Sequence, residues 1–189
     1  MDAPYLYRSL VFGAVCGLYR LIEGFEKQEI DIEKYHQLAL QKQKEHRKVL
    51  ANLKKKPPKN LDKIAQEIHD EVFQEIDCTA CANCCKTLGP DFKEADITRI
   101  AKYFKMKLPA FEAEFLQVDE DGDKVFKSMP CPFLGGDNLC SIYDVRPKAC
   151  REFPHTDRKK IYQINHLTIK NTLTCPAAYL FVEKLKDRL

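Results

Sequence analysis

Cys78, Cys81, Cys84 and Cys85 crowd into the run C-T-A-C-A-N-C-C, and Cys131, Cys140, Cys150 and Cys175 follow at wider intervals. A C-x-x-C turn brings two sulfurs within reach of one ion. Four thiols this close cannot all pair in sound disulfides, because each bridge requires a particular Cα separation and torsion. Metal binding is the chemistry that these residue types at this spacing suit best, with all eight cysteines as ligands.

The intervals in the second group are hairpin-length or longer, unlike the paired knuckles of a zinc ribbon. C-x-x-C-x-x-C instead resembles the run that holds three corners of a cubane iron–sulfur cluster, with a distant Cys-Pro as a further ligand. Cys131-Pro132 and Cys175-Pro176 both fit that part. An iron–sulfur cluster is therefore preferred, with zinc as the other candidate. Cys85 is one cysteine more than such runs usually carry. Neighbouring side chains point apart, so Cys84 and Cys85 serve two different metals or one of them is a spare thiol. Eight thiolates suit two four-ligand sites, but spacing leaves their division open.

Four thiolates around either metal group leave net negative charge, which favours nearby cations. The stretch after Cys140 supplies Arg146, Lys148, Arg151, Arg158, Lys159 and Lys160. The last three read as solvated charge. Arg146 and Arg151, set among Pro147, Phe153 and Pro154, are the candidates for donors to sulfur or for an anion site. His155 is a further candidate for ligation or acid–base work. His36, His46, His69 and His166 sit in polar contexts that ask for no special role, and Cys16 reads as a small buried hydrophobe.

Composition narrows the class. A net charge of +3 makes no demand for nucleic acid as a partner. Ser9 to Tyr19 is apolar and flanked by Arg8 and Arg20, yet too short to span a bilayer and without a following cleavage signal. It reads as a helix packed on the rest of the chain. A cytoplasmic location follows, where clustered cysteines bind metal more often than they form bridges.

The elements that must position the sulfurs are mostly helices. Ile30 to Leu53 carries apolar residues at helical intervals and ends at Lys54-Lys55-Lys56-Pro57-Pro58, where the prolines forbid continuation. Asn60 is placed to cap the next helix, whose Leu61, Ile64, Ile68, Val72 and Ile76 share one face and lead directly to Cys78. A helix with Ile97, Ile100, Ala101 and Phe104 follows, then one opened by Pro109. Asp121-Gly122 predicts a hairpin, and Gly135-Gly136-Asp137-Asn138 a second one with Cys131 and Cys140 on its arms. Ile161 to Ile169 is expected to be a strand and Ala177 to Leu185 a final helix. The fold class is α+β: a mainly helical small domain with short β-hairpins, organised around a cysteine-rich metal site. The expected divisions are an apolar segment (1–28), a helical region (29–77) and a cysteine-cluster domain (78–189).

The ordered set C-T-A-C-A-N-C-C, P-C-P-F-L (from Pro130), C-S-I-Y-D-V-R-P-K-A-C-R-E-F-P (from Cys140) and Cys175-Pro176 resembles the CxxCxxCC, or YkgJ-like, family of bacterial cysteine-cluster proteins described as zinc- or iron-chelating. The resemblance runs from about Cys78 to Ala178 and implies that all eight cysteines are metal-site residues. A related cluster occurs in the longer flagellin lysine methylases. This raises the alternative of a metal-dependent redox or group-modifying enzyme, with an open metal position and a cleft beside Cys150. Against it, the chain has only 7 glycines and lacks a glycine-rich strand-to-helix turn for a nucleotide-like cofactor. The leading expectation is a cytoplasmic metal-binding protein whose N-terminal helices scaffold the site or meet a protein partner.

Overall fold

A computed structural model describes residues 30–189; the segment 1–28 and Cys16 lie outside the described residues. The first helix, α1 (Ile32–Lys55), starts where the Asp31 carboxylate accepts the Lys34 amide at 2.9 Å. It stops at Lys56, ahead of Pro57-Pro58. α2 (Leu61–Glu75) follows with Asn60 at its N-cap, although the Asn60 side chain makes no capping bond. Leu61, Ala65, Ile68 and Val72 are buried along one face, as three- and four-residue spacing requires.

These helices pack with two from the far end of the chain, α8 (Asn165–Thr174) and α9 (Pro176–Asp187). Leu50, Leu53, Ile68, Val72, Ile169, Phe181, Val182 and Leu185 form their shared core. Each such side chain, fully buried, contributes about 1.5–3 kcal/mol. Sequence neighbours of the cysteine run therefore hold it from both sides, because α2 leads into Cys78 and α9 begins just after Cys175.

The buried stripe of α1 is Ala39, His46, Leu50 and Leu53, so His46 takes a core position rather than a polar one. Its Nε2 meets Glu183 Oε1 at 2.8 Å and its ring lies 5.6 Å from that of Tyr179. The carboxylate supplies the partner of Nε2, while Nδ1 of the same ring is buried without one.

The middle of the chain builds a second core. Two short helical turns, α3 (Cys78–Cys81) and α4 (Asn83–Thr87), carry the cysteine run. Beyond them α5 (Glu94–Tyr103) and α6 (Leu108–Phe115, with Pro109 in its first turn) pack against a two-stranded antiparallel sheet. β1 (Leu116–Val118) and β2 (Lys124–Phe126) pair with Leu116 opposite Phe126 and Val118 opposite Lys124. Gly122 turns between them at φ +83°, which suits glycine best. Phe133 is the hub of this core, with ring centres 5.1 to 5.6 Å from those of Phe104, Phe115 and Phe126.

The molecule is thus mainly helical α+β. Two expectations need correction. The Cys131–Cys140 segment turns back through a single Leu134–Cys140 bridge, not a laddered hairpin. Ile161–Ile164 is a 3₁₀ turn that runs into α8, not a strand. Ile161 and Ile169 reach the helical core at helical spacing, so tertiary packing outweighs the β-propensity of this isoleucine-rich stretch.

Candidate metal centre

Asp77 shapes the start of the site. Its carboxylate accepts the Thr79 amide at 2.8 Å and the Thr79 hydroxyl at 2.7 Å, which caps the α3 turn. Ala82 then takes a left-handed conformation (φ 49°), so the chain breaks direction between α3 and α4. Non-glycine residues adopt that region at a cost, and here the kink separates the first two cysteines of the run from the last two. Cys84 and Cys85 had been expected to point apart. Instead their sulfurs lie 3.9 Å from each other, close to the edge of about 3.8 Å that a tetrahedron with ~2.3 Å metal–sulfur bonds would have.

Hydrogen bonds tie Cys131 and the approach to Cys175 to this run, and Cys140 and Cys150 are held by other neighbours. The Cys131 amide donates to the Cys85 carbonyl at 2.8 Å, and Cys140 bridges back to Leu134. The Asn83 side-chain amide donates to the Thr174 carbonyl at 2.7 Å, which holds the approach to Cys175 beside α4. Cys150 rides on a short helix, α7 (Lys148–Glu152), whose first amide is accepted by Asp96 at 3.1 Å. All eight thiols are free; Cys85 is hydrogen-bonded to Cys84, and each of the other seven has another cysteine among the main charges acting on it. Among the described residues no three Cys, His, Asp or Glu side chains are already closed around one point as a metal cage.

Their acidities reflect this crowding. Burial pushes Cys78 and Cys131 up to about 11 and Cys150 and Cys175 up to about 12, and the charges of neighbouring cysteines add to the effect. Cys81 and Cys140 are raised for the same leading reason. Cys78 and Cys150 are exposed to solvent, yet enough protein surrounds their sulfurs to suppress ionisation. Cys84 and Cys85 act as a pair. The hydrogen bond between them favours one thiolate, which brings Cys85 down to about 7 and drives Cys84 up. The charge is favoured on Cys85 because Arg146 and Lys86 act on it, whereas Cys175 and Cys78 act on Cys84.

Arg146 is placed as the sequence suggested. Its guanidinium sits 3.7 Å over the Tyr143 ring, and its charge reaches Cys78, Cys85, Cys140 and Cys150. Its Nε–H is buried without a partner, an arrangement that calls for an acceptor. Arg151 donates to the Arg146 carbonyl at 3.3 Å, so the bond it makes is to backbone. His155 has positive φ (66°) and lines a cleft of about 260 Å³ with Lys148, Glu152, Asp157 and Arg158. Burial lowers its pKa, helped by Arg158 and opposed by Glu152 and Asp157. No cysteine lines that cleft.

The support behind Arg146 was not visible in the sequence. Asp96 is buried and accepts from Arg99 Nη2 at 2.5 Å, while Arg99 donates to the carbonyls of Val145 and Arg146 at 3.2 and 2.9 Å. Asp96 and Arg99 are on α5, far along the chain from the segment they hold. Only a capping-type acid three residues ahead of a basic residue hinted at a pair.

Cys175 packs on the helical core, Cys131 and Cys140 pack on the phenylalanine core, and free thiols such as these are donors that suit a thiophilic metal. The chain matches the model of the CxxCxxCC family, described as a "Putative zinc- or iron-chelating domain", over residues 77–176. It belongs to that family. No curated protein and no solved structure matches it.

Proposed function

We propose that this chain is a cytoplasmic metal-binding protein in which Cys78, Cys81, Cys84, Cys85, Cys131, Cys140, Cys150 and Cys175 hold an iron–sulfur cluster, in preference to zinc. The observation that carries the reading is the reach of the Arg146 charge to four of the free thiols, Cys78, Cys85, Cys140 and Cys150, together with its unpartnered Nε–H. Such a donor would be satisfied by sulfur that carries negative charge, and Arg146 is the side chain best placed to stabilise it. The pKa values of all these thiols except Cys85 are raised. Most of these sulfurs are protonated at neutral pH, so binding must release protons and tightens as pH rises. Closing the ligand shell then belongs to metal binding itself, because four thiolates repel one another until a cation compensates them.

An iron–sulfur cluster would supply electron transfer, and zinc would supply a structural clamp. The preference for iron rests on the C-x-x-C-x-x-C spacing and the two Cys-Pro dipeptides. The free thiols support a reducing, cytoplasmic setting. The enzymatic alternative draws no support from the cleft at His155, whose lining contains no sulfur.

Anaerobic purification followed by iron, zinc and acid-labile sulfide analysis with a visible spectrum tests the reading. Brown protein with sulfide is expected. Colourless protein with stoichiometric zinc would remove the iron–sulfur preference, and metal-free protein would remove the metal reading itself.

A further inference from the structure

Charge is unevenly distributed along this chain. Residues 41–60 hold eight Lys and Arg against a single acid, Glu45, a net of +7. The whole chain carries only +3, so the remainder carries −4. The modest total conceals a cationic pole in the second half of α1 and the loop to α2.

Most of that charge has no use within the fold. Glu45 is engaged by Lys42 and by Lys186 of α9, each at 3.2 Å. Among the described residues no ion pair holds the other seven cations of this stretch, which run from Lys44 to Lys59, and all seven are exposed. Lys44, Arg47, Lys48, Lys54 and Lys55 share one face of α1, because steps of three, four and seven residues return to the same side of a helix. Helix energetics does not account for them. A cation favours a helix C-terminus only within the last turn, which Lys54 and Lys55 already occupy. Lys44 and Lys48 lie further in, and like charges four residues apart destabilise a helix. Lys56 and Lys59 precede the N-terminus of α2, where the dipole disfavours a cation.

A cleft of about 350 Å³ lies within this pole. Its lining joins the apolar side chains of Val49, Leu53, Pro58 and Leu189 to those of Lys56 and Lys186. Such a lining suits an anion with an aliphatic body. Nucleic acid fits less well, since residues 41–60 include no Phe, Tyr or Trp on which a base could stack.

We propose that this pole docks the protein on the surface of an anionic phospholipid bilayer. Headgroup phosphates meet the exposed cations from Lys44 to Lys59, and the glycerol end of one lipid enters the cleft at Lys56. Clusters of four to eight Lys and Arg are drawn to anionic bilayers in this way. Such docking needs no spanning segment, and no helix among the described residues is long and apolar enough to cross a membrane. The acidic remainder of the chain is repelled by the same surface, which fixes the orientation of the bound molecule. The proposal is independent of the metal reading.

The test is co-sedimentation of the full chain with vesicles of phosphatidylcholine alone and with vesicles of an equimolar mixture of phosphatidylglycerol and phosphatidylcholine. Binding to the mixed vesicles alone is expected, and it should weaken steeply as salt is raised. Lys54→Gln/Lys55→Gln/Lys56→Gln should weaken it about 100-fold, because each lysine near an anionic surface contributes about fivefold. Lys44→Gln/Arg47→Gln/Lys48→Gln, which leaves the last turn of α1 intact, should lose a similar amount. Lys102→Gln/Lys107→Gln/Lys170→Gln removes as many exposed cations elsewhere and should stay within about threefold of wild type. Failure of the wild type to bind the mixed vesicles, or equal binding to both kinds, would overturn the proposal. An equal loss in the Lys102, Lys107 and Lys170 variant would do so too. Tighter binding to a DNA duplex than to the mixed vesicles at the same salt would give the pole to nucleic acid instead.

Discussion

Replacing Asp96 by Ala should destabilise the protein by about 2–4 kcal/mol and loosen the segment that carries Arg146 and Cys150. The carboxylate is 3% exposed and accepts Arg99 Nη2 at 2.5 Å, the Lys148 amide at 3.1 Å and the Lys93 amide at 3.4 Å. The charge-assisted bond to Arg99 is worth about 1.5–3 kcal/mol, and the part-buried Lys148 amide left unpaired adds about 0.5–1.5 kcal/mol. The long Lys93 bond adds little. Arg99 keeps its backbone acceptors and is partly exposed, so the stranded guanidinium is rehydrated in part, which holds the total below the sum. With a urea slope of roughly 2 kcal/mol per molar, the midpoint should fall by about 1–2 M at neutral pH, read by circular dichroism. Alkylation of Cys150 should quicken alongside. A midpoint within about 0.3 M of wild type would refute the reasoning, since error in the slope alone cannot hide so large a loss.

The same carboxylate sets a pH dependence. Burial alone would raise its pKa, but the Arg99 guanidinium and the Lys148 and Lys93 amides outweigh burial and hold it below the ordinary carboxylate range. A depressed folded value means that the stabilisation is fully present above the ordinary value of about 3.9 and is lost as pH falls through the folded one. The stability gap between wild type and Asp96→Asn should therefore narrow only below about pH 4. A gap that closes between pH 5 and 7 would assign the effect to some other group.

Arg146→Ala should leave the helical core folded yet weaken metal binding by about 10–100-fold, as loss of an outer donor to a ligand does. Competition against a chromophoric chelator measures this, and unchanged affinity would deny Arg146 its role. His46→Ala should cost about 2–4 kcal/mol in urea unfolding, by leaving a void beside Tyr179 and stripping Glu183 of its imidazole partner. Glu183→Gln retains a neutral hydrogen bond and should cost less than half as much. Equal losses in the two variants would contradict this account of the pair.

The helices were legible wherever apolar spacing was regular and bounded by a breaker. α2 is the clearest instance, with Leu61, Ile68 and Val72 on one face and the Pro57-Pro58 break ahead of it. The two cores were less legible, because nothing local in α1 or α2 announces that α8 and α9 will complete their packing. Ile161–Ile169 misled because β-branched residues satisfy strand and buried-helix patterns alike. His46 escaped notice for a similar reason: its partner Glu183 lies at the other end of the chain. For the site, the ordered cysteines were plain from spacing and type. The bonds that tie their segments together, Asn83 to Thr174 and Cys131 to Cys85, join residues far apart in the chain and leave no local signal. Asp96 and Arg99 were hidden for that reason too.

The central claim is that these sulfurs share metal, and X-ray absorption at the metal edge of anaerobically purified protein examines it most directly. A first shell of sulfur alone at about 2.3 Å, with a metal–metal distance if a cluster is present, is the predicted spectrum. A shell dominated by oxygen or nitrogen would place the metal elsewhere and contradict the account.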